Sequence, residues 1–238
     1  MPCVSVLELE QEVLAGVTVF VLRYALDTEP DESDLLPLTS SERERLARFR
    51  RREDRVRHGG ARSMLRTLLG QRLGLAPGEV PLRTGPTGKP ELDPRYGIHF
   101  NVSHSGAYGL VAITGLGEVG VDIEAIRSEL DYRGIAERVF HPLEIAELEA
   151  ATPEPERLRR FFDGWAHKEA VLKALGVGFS GAPRSFAVLG AGRLVCDAGA
   201  FAVAPERVRV AKVPAPEGYA AALAVIVGAR SGGVAGEP

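Results

Sequence analysis

The amino-acid sequence predicts an α+β fold built from two pseudo-symmetric α/β halves, and a repeated pattern supports this prediction. In the first half, a helical segment in which an aromatic residue is followed by charges, residues 49–54, precedes a valine- and alanine-containing strand, residues 110–113. Residues 161–165 and 223–226 show the same order in the second half. Because a repeated order of elements indicates a repeated structural unit, we predict two similar halves that meet near residue 120.

The predicted division of the chain follows from this repeat. Residues 1–119 form the first half and residues 120–228 the second, and the glycine-containing end at 229–238 is expected to be disordered. A length of 238 residues suffices for one large domain or for two of about 120 residues. A site between the halves would lie where the second half begins.

Composition predicts a soluble, cytoplasmic protein with no membrane association. Hydrophobic residues make up 45% and charged residues 26% of the chain, which is ordinary for a globular protein. There is no apolar run of the roughly 18 residues that a membrane helix needs, and the first residues lack the order of a signal peptide. Cys3 and Cys196 are too few and too far apart for a disulfide framework or a zinc site, so both are expected to be reduced.

In the first half, residues 17–24 are β-branched and aromatic and predict a buried strand. Thr39 or Ser40 can cap a helix, and apolar residues recur at helical spacing from there to about Leu73. The pair Gly59-Gly60 interrupts this pattern, and two glycines inside a helix cost about 1 kcal/mol each. Either the helix breaks there or another backbone or a ligand approaches closely.

Arginines are concentrated in this helical region. Although the net charge is −3, residues 42–72 contain eleven arginines against four acidic residues. The segment is expected to attract anions, such as a small phosphorylated ligand or a nucleic acid, although Phe49 is its one aromatic residue, which disfavours stacking on single strands. The alternative is a solvated helix face rich in arginine because arginine is a good helix former.

The middle of the chain combines a turn-rich loop with two strands. Residues 84–92 form a loop that holds Lys89 at a fixed place, and no Gly-Lys-Ser/Thr sequence of a Walker A loop is present there. Residues 97–103 alternate between apolar and polar side chains, and residues 108–114 form the next strand. At the end of the first strand, Asn101, Ser103 and His104 form a polar edge that could donate hydrogen bonds to an anion, although a lone histidine is more often structural.

Two carboxylates share one face of the following strand. In residues 117–124, Val121 and Ile123 point one way, while Asp122 and Glu124 point the other way, with their Cα atoms roughly 6–7 Å apart. Both carboxylates can therefore reach one cation. The alternative is the solvated face of an edge strand.

A third carboxylate lies on the apolar face of a helix predicted for residues 159–175 and closed by Gly176. At 3.6 residues per turn, Glu169 falls within the arc of Leu158, Phe161, Phe162, Trp165 and Leu172. A buried carboxylate must be protonated, paired or bound to a metal. Pairing with Lys173 one turn later is the simplest alternative, worth about 0.3–0.5 kcal/mol if exposed. Together with Asp122 and Glu124, however, Glu169 would complete a set of oxygen ligands typical of a magnesium site.

The remaining elements of the second half are shorter. Residues 135–140 and 142–149 predict two helices around His141-Pro142. The predicted strands are residues 186–189, 193–196, 201–203, 208–213 and 219–227.

Five segments together resemble the surfactin-type 4′-phosphopantetheinyl transferases. The two most specific are Gly120-Val121-Asp122-Ile123-Glu124 and the segment from Trp165 to Gly176, WAHKEAVLKALG. Thr87-Gly88-Lys89-Pro90, the segment FNVSHS at 100–105 and the arginine-rich helix through Arg57 follow the family order as well. The resemblance covers roughly residues 40–180. Two departures are a conservative valine at position 121 and the Gly59-Gly60 pair, which stands where bulkier residues are usual.

The resemblance implies transfer of the 4′-phosphopantetheine group from coenzyme A to a serine of an apo acyl or peptidyl carrier protein, with release of adenosine 3′,5′-bisphosphate. It implies that Asp122, Glu124 and Glu169 hold Mg²⁺ against the pyrophosphate. Glu169 is also the implied base for the serine hydroxyl, and Lys173 the implied contact to the pyrophosphate. Family members of this length are typically monomers, and no nucleic-acid partner is implied.

The resemblance also assigns the residues that bind coenzyme A. Ser103 and His104 would touch its phosphates, and Asn101 would shape their loop. Lys89 would lie against the cofactor. Arg57, with help from Arg45, would receive the 3′-phosphate.

Two other functions remain possible from the residues alone. Another magnesium enzyme acting on phosphate esters would use the same carboxylates and basic groups. A non-catalytic module that binds coenzyme A or nucleic acid through residues 43–72 would show salt-sensitive binding and would not depend on Glu169.

Overall fold

The computed structural model describes residues 4–85, 88–178, 182–190 and 192–228, without the side chains of residues 6–13. The helices are α1 (Glu32–Leu35), α2 (Ser40–Ala47), α3 (Arg52–Leu73), α4 (Tyr132–Val139), α5 (Pro142–Ala150) and α6 (Glu154–Leu175). The strands are β1 (Val4–Leu14), β2 (Val17–Tyr24), β3 (Arg83–Thr84), β4 (Pro90–Glu91), β5 (His99–Ser105), β6 (Tyr108–Thr114), β7 (Val119–Ala125), β8 (Phe186–Leu189), β9 (Arg193–Cys196), β10 (Val208–Lys212) and β11 (Tyr219–Ile226). This mixture confirms the predicted α+β class.

The first half is an antiparallel sheet covered by the long helix α3. Its strand order is β1-β2-β6-β5, and the predicted strands at 17–24 and 108–114 have the bounds expected from the sequence. The core between helix and sheet includes Val56, Leu65 and Leu69 of α3 and Leu22 and Val111 of the sheet. Burial of these apolar side chains fixes α3 on the sheet.

The second half repeats this arrangement with a smaller sheet and the helix α6. Strands β10, β11 and β7 form an antiparallel sheet in that order. Ala170 and Leu172 of α6 pack with Ala222 and Ala224 of β11. As predicted, α6 is closed by Gly176, whose φ of 71° is the left-handed conformation that glycine adopts most readily.

The arginine-rich helical region differs from its prediction in one respect. It is divided into α2 and α3, and the break lies at residues 48–51 rather than at Gly59-Gly60. At the break, Arg55 donates hydrogen bonds to the carbonyl oxygens of Phe49, at 2.8 Å, and Arg50, at 3.2 Å. These side-chain bonds replace helical backbone bonds and stabilise the break.

Gly59 and Gly60 lie inside the continuous helix α3, where other elements approach closely. A Cβ atom on Gly59 would lie 2.9 Å from a methyl carbon of Leu46, and one on Gly60 would lie 3.0 Å from Cβ of Val4. The helix therefore does not break at the two glycines, and another element does approach closely. The approaching groups are side chains of α2 and β1, however, and not the backbone or ligand that was predicted.

A buried ion pair joins the helices of the second half to strand β8. Lys168 of α6 lies 2.8 Å from Glu144 of α5, and both side chains are almost fully buried. Lys168 also donates to the carbonyl oxygen of Phe186, and Glu144 accepts from the backbone N–H of Val188. Each charge therefore has partners that compensate for its removal from water.

Three expectations about elements need comment. The predicted strand at 201–203 is wrong, because these residues have no strand pairing. The edge strand β1 was not predicted, although its alternation of apolar and acidic residues was an available signal. Thr87 of the loop motif and the tail at 229–238 lie outside the described residues.

The described ranges contain Cys196 but not Cys3. Cys196 is a free thiol there. In the same ranges, no helix combines the length and the apolar character needed to cross a membrane.

Candidate active site

The two sheets meet where β5 lies beside β7, and side chains of β5 join the strands. The Asn101 Oδ1 atom accepts a hydrogen bond of 3.0 Å from the N–H of Val121, and the Ser105 Oγ atom accepts one of 3.0 Å from the N–H of Ala125. Residue numbers increase together along this join, so the two strands run parallel. Asn101 is buried and thus holds β7 in register, a role compatible with shaping the neighbouring loop.

Asp122 lies at the centre of this join. Its Oδ1 atom accepts hydrogen bonds from Lys173 Nζ at 2.6 Å and from Ser103 Oγ at 2.8 Å. Lys173 also donates to Ser103 Oγ and to the carbonyl oxygen of Val121. Burial raises the pKa of Asp122, and the Lys173 ammonium opposes this effect. With Asp122 only 3% exposed, the interpretation of β7 as a solvated edge strand is excluded.

Glu124 is held through both of its carboxylate oxygens. Ser105 Oγ donates to Oε2 at 3.0 Å, and Trp165 Nε1 donates to Oε1 at 3.2 Å. Burial, together with repulsion from Asp122, raises the pKa of Glu124. Because Trp165 is on α6 and Ser105 on β5, this carboxylate connects all the elements around the site.

Glu169 faces the same region from α6, one turn before Lys173. Its side chain is half-buried and has no hydrogen bond to any described residue. Burial raises the pKa of Glu169 to about 7; Lys173 opposes this shift, while the charges of Asp122 and Glu124 add to it. The structure thus brings the three predicted carboxylates within electrostatic range of one another. Lys173 bonds to Asp122 instead, so the surface pair between Glu169 and Lys173 is not observed.

The three carboxylates do not yet form a metal centre. Across the described ranges, no three His, Cys, Asp or Glu side chains are grouped closely enough to hold an ion. In this state, protein donors contact one oxygen of Asp122 and both oxygens of Glu124. However, Oδ2 of Asp122 is buried without a hydrogen-bond partner, and the Glu169 carboxylate has no hydrogen bond within the described ranges. These acceptors fit a hard divalent cation.

Gly120 determines how closely α6 approaches β7. A Cβ atom at this position would lie 2.1 Å from the carbonyl oxygen of Ala170 and 2.5 Å from the backbone nitrogen of Ala174. Both atoms belong to the backbone of α6, in the residues that directly follow Glu169 and Lys173. No side-chain movement could therefore relieve the overlap. The absence of a side chain at Gly120 therefore allows α6 to pack close enough to β7 for Lys173 to reach Asp122.

A cleft of about 480 Å³ lies in the first half between α2, α3 and the β3–β4 hairpin. Arg45, Arg62 and Arg66 contribute to its lining. Phe49 and His58 also line it, and their rings are stacked with centroids 4.4 Å apart. The cleft therefore offers positive charge and an aromatic surface, as expected for an anionic ligand that carries a ring.

His104 lies beside this cleft and is the neighbour in the chain of Ser103, which bonds to Asp122. Its ring packs edge-on against His58 at 4.9 Å, and both histidines line a smaller cleft of about 170 Å³ that shares Arg62 with the larger one. Burial, with help from the charge of His58, lowers the pKa of His104 to about 4. His104 is therefore neutral at pH 7, next to Ser103 in the chain.

Two predicted cofactor contacts are engaged elsewhere in the protein. Arg57 donates to the carbonyl oxygen of Gly106 at 2.8 Å and pairs with Asp54 at 3.2 Å. Lys89 lies 3.4 Å from the Glu118 carboxylate and 3.3 Å from the carbonyl oxygen of Val119. Lys89 is thus placed at the start of β7, whereas Arg45 lies in the larger cleft.

Sequence reasoning missed three residues of this region. Ser105 and Trp165 were noticed only as part of a motif and of an apolar arc, although both bond to Glu124. Ser105 is two residues after Ser103 on one strand, and Trp165 is four residues before Glu169 on one helix, so the periodicity was an available signal. Arg62 could have been selected by its place one turn after His58.

Comparisons with known proteins agree with this arrangement. Residues 118–224 match the family model of the 4′-phosphopantetheinyl transferase superfamily, and residues 31–115 match the model of the 4′-phosphopantetheinyl transferase N-terminal domain. The 4′-phosphopantetheinyl transferase of Bacillus subtilis is 32% identical over 66% of this chain and 69% of its own length. The chain therefore belongs to the 4′-phosphopantetheinyl transferase family.

Cyanobacterial relatives are similar over somewhat less of their length. A putative 4′-phosphopantetheinyl transferase of Synechocystis is 39% identical over 64% of each chain. The transferase HetI of Nostoc is 38% identical over 60% of this chain and 61% of its own. The matches thus span slightly less than two thirds of these two relatives. A solved holo-[acyl-carrier-protein] synthase from Thermotoga maritima aligns with a TM-score of 0.39 and 22% identity over 47% of this chain and 64% of its own.

Proposed function

We propose that this protein transfers the 4′-phosphopantetheine group of coenzyme A to a serine of an apo acyl or peptidyl carrier protein. The observation that carries the proposal is the convergence of Asp122, Glu124, Glu169 and Lys173 where the two sheets meet, next to an arginine-lined cleft. Relatives named as 4′-phosphopantetheinyl transferases support it. In the reaction, the serine oxygen bonds to the β-phosphorus, and the bond to the bridging oxygen breaks to release adenosine 3′,5′-bisphosphate.

Asp122, Glu124 and Glu169 would hold a Mg²⁺ ion. Two observations support this assignment: Oδ2 of Asp122 is buried without a hydrogen-bond partner, and the Glu169 carboxylate has no hydrogen bond to a described residue. When bound, the ion neutralises negative charge on the pyrophosphate and on the leaving oxygen. Burial is the main cause of the raised pKa of Glu169, and the cation would offset the repulsion from Asp122 and Glu124 that adds to it.

Glu169 is the group that would accept the proton of the serine hydroxyl, directly or through water. In the metal-free protein its pKa is raised to about 7, and a bound cation would lower that pKa, so Glu169 would be ionised and able to accept a proton at pH 7. It is also the carboxylate without a hydrogen bond to described residues, so its oxygens are open to an incoming hydroxyl. Asp122 and Glu124 are bonded to protein donors and are less suited to this step.

Lys173 and Ser103 would contact the pyrophosphate. Lys173 is partly exposed beside Asp122, so a phosphate oxygen can join or replace the carboxylate as its partner. His104 is neutral in the free protein and would donate an N–H to a phosphate. Because a neutral ring has no ion pair, no ion pair would have to break first. Asn101 would keep this strand end in place through its bond to Val121.

The 3′-phosphate end of coenzyme A would occupy the larger cleft. Arg45 lines this cleft and forms no ion pair with a described residue, which suits it for a phosphate. Arg57 would have to exchange its contact with Asp54 for the phosphate. Lys89 would reach the cofactor only by leaving Glu118.

Intact-mass measurement of carrier proteins tests the proposal. Apo acyl and apo peptidyl carriers are incubated with the protein, coenzyme A and Mg²⁺, and one carrier is expected to gain the mass of a single phosphopantetheinyl group. The gain should disappear with EDTA, with the serine of the carrier replaced by alanine, and with Glu169→Gln. If no carrier gains this mass although the protein is folded, or if Glu169→Gln is fully active, the proposal is wrong.

A further inference from the structure

Glu124 differs from the other two carboxylates of the site in how it is held. Asp122 keeps one oxygen without a partner, and Glu169 has no hydrogen bond to any described residue. Glu124, in contrast, receives one hydrogen bond on each oxygen, from Ser105 and from Trp165. Its carboxylate plane is therefore set before any ligand arrives.

The hydroxyl of Ser105 has its direction fixed by a second hydrogen bond. Its oxygen accepts the backbone N–H of Ala125 at 3.0 Å, so the hydroxyl hydrogen is directed to another acceptor. The Glu124 Oε2 atom, at 3.0 Å, is that acceptor. Ser105 is itself held on β5 by the backbone pairing with Tyr108 of β6. A rigid strand of the first half thus orients a carboxylate of the second half.

We propose that Ser105 is a positioning residue that orients Glu124 for a divalent cation, with Trp165 holding the other oxygen. The proposal rests on the proposed function, because it assumes that Glu124 is a ligand of Mg²⁺. Partners that orient ligands typically contribute about 10–100-fold to metal affinity. Without the Ser105 hydroxyl, Trp165 is the one described side chain that still donates a hydrogen bond to Glu124. The carboxylate can then rotate about this single hydrogen bond.

Three variants separate positioning from general stability. Ser105→Ala removes the hydroxyl, and Ser105→Thr retains it. The matched control is Thr114→Val, because Thr114 likewise accepts a backbone N–H, from Leu116 at 3.1 Å, and donates to an oxygen, that of Gly16 at 2.7 Å. Thr114 is a buried residue of β6, and its acceptor is a backbone carbonyl rather than a carboxylate.

The first readout needs no metal. Trp165 is the only tryptophan of the chain, so its indole N–H gives a single resonance in a ¹H–¹⁵N spectrum. Because this N–H bonds to Glu124, the resonance reports how the carboxylate is oriented. We expect Ser105→Ala to shift or broaden it, whereas Ser105→Thr and Thr114→Val leave it in place.

The second readout is the affinity for Mn²⁺, measured by calorimetry on the full chain as a probe for the cation site. Ser105→Ala should weaken binding by about 10-fold, while Thr114→Val stays within about 2-fold. In transfer assays, Ser105→Ala should need more Mg²⁺ for half-maximal rate but keep the wild-type KM for coenzyme A.

The outcomes distinguish this inference from the proposed function. The first case is a wild-type protein that binds Mn²⁺ and modifies a carrier. If Ser105→Ala then has the same Trp165 indole resonance and the same Mn²⁺ affinity as the wild type, the positioning role is wrong and the proposed function stands. If Thr114→Val weakens Mn²⁺ binding as much as Ser105→Ala does, the effect is one of stability and the role is again wrong. A wild-type protein that neither binds Mn²⁺ nor modifies a carrier overturns the proposed function, and the role of Ser105 with it.

Discussion

Helices α3 and α6 have the same length, 22 residues, and both end at a left-handed glycine, yet they carry their charges differently. On α3, the side chains of Arg57 and Arg62 are 21% and 29% exposed, whereas Arg66 is buried and paired with Glu42 at 2.7 Å. On α6, Lys168 is 3% exposed. Glu169 is half-buried beside two other carboxylates.

The difference shows how one helix can serve binding and the other chemistry. Partly exposed arginines attract an anion at little cost in stability, because water continues to solvate them. Buried charges cost several kcal/mol each unless they are paired, but their pKa values and interactions are strongly altered. Under the proposed function, we therefore expect the first half to hold the phosphates of the ligand and the second half to carry the reacting groups.

The largest expected effect comes from breaking the buried pair of α6. Lys168→Met leaves the Glu144 carboxylate buried without its cation, and we expect the free energy of unfolding to fall by about 3–5 kcal/mol in urea titrations. Adding Glu144→Gln should restore most of the loss, because no uncompensated charge then remains. If the double variant is as unstable as the single one, the loss of stability is caused by altered packing around Phe186 and not by the unpaired charge.

Gly120→Ala should separate α6 from β7. Because the new methyl group would overlap the backbone of α6, we expect a loss of about 3 kcal/mol in urea unfolding and loss of transfer activity. The control is Gly78→Ala, where no atom lies within 4 Å of the added carbon and a change below about 0.5 kcal/mol is expected. Equal stability of the two variants would mean that the close approach at Gly120 is not rigid.

Glu169→Gln should stabilise the metal-free protein at high pH while abolishing activity. The pKa of Glu169 is raised from 4.5 to about 7, so its ionisation reduces stability as pH increases through this window. With EDTA present, the variant should exceed the wild type by about 1–2 kcal/mol at pH 8, after allowance for solvent screening, and equal it below pH 4. If the difference in free energy of unfolding between the variant and the wild type increased toward low pH, the raised pKa of Glu169 would be contradicted.

The smallest effect is expected on the exposed arginines. Arg45→Gln and Arg57→Ala should each raise KM for coenzyme A by about 10-fold, or about 1.4 kcal/mol, with kcat little changed. Arg43→Gln is the matched control, because Arg43 pairs with Glu32 and does not line the cleft. An unchanged KM in either test variant would remove that arginine from the site.

Local patterns in the sequence were sufficient to find the three carboxylates. Asp122 and Glu124 share a strand face, and Glu169 stands out because a charge interrupts an apolar helical arc. The strands 17–24 and 108–114 and the glycine at the end of α6 followed from composition and capping rules. The break at residues 48–51 could not be found in this way, because a side chain several residues later, that of Arg55, stabilises it.

Contacts between distant segments were beyond the same rules. The bond between Ser105 and Glu124 depends on β5 lying parallel to β7, and the pair Glu144–Lys168 depends on how α5 packs on α6. Neither register is encoded in local spacing. The pairing of Lys89 with Glu118 likewise follows from the course of a loop in three dimensions.

By itself, the amino-acid sequence determined which residue types are available for chemistry and which face of each element carries them, because side-chain periodicity is a local property. Tertiary structure alone decided which of them meet: it turned Lys173 to Asp122, held Glu124 by both oxygens and left Glu169 free. The physical reason is that burial and pairing depend on the close packing of α6 on β7, which Gly120 permits.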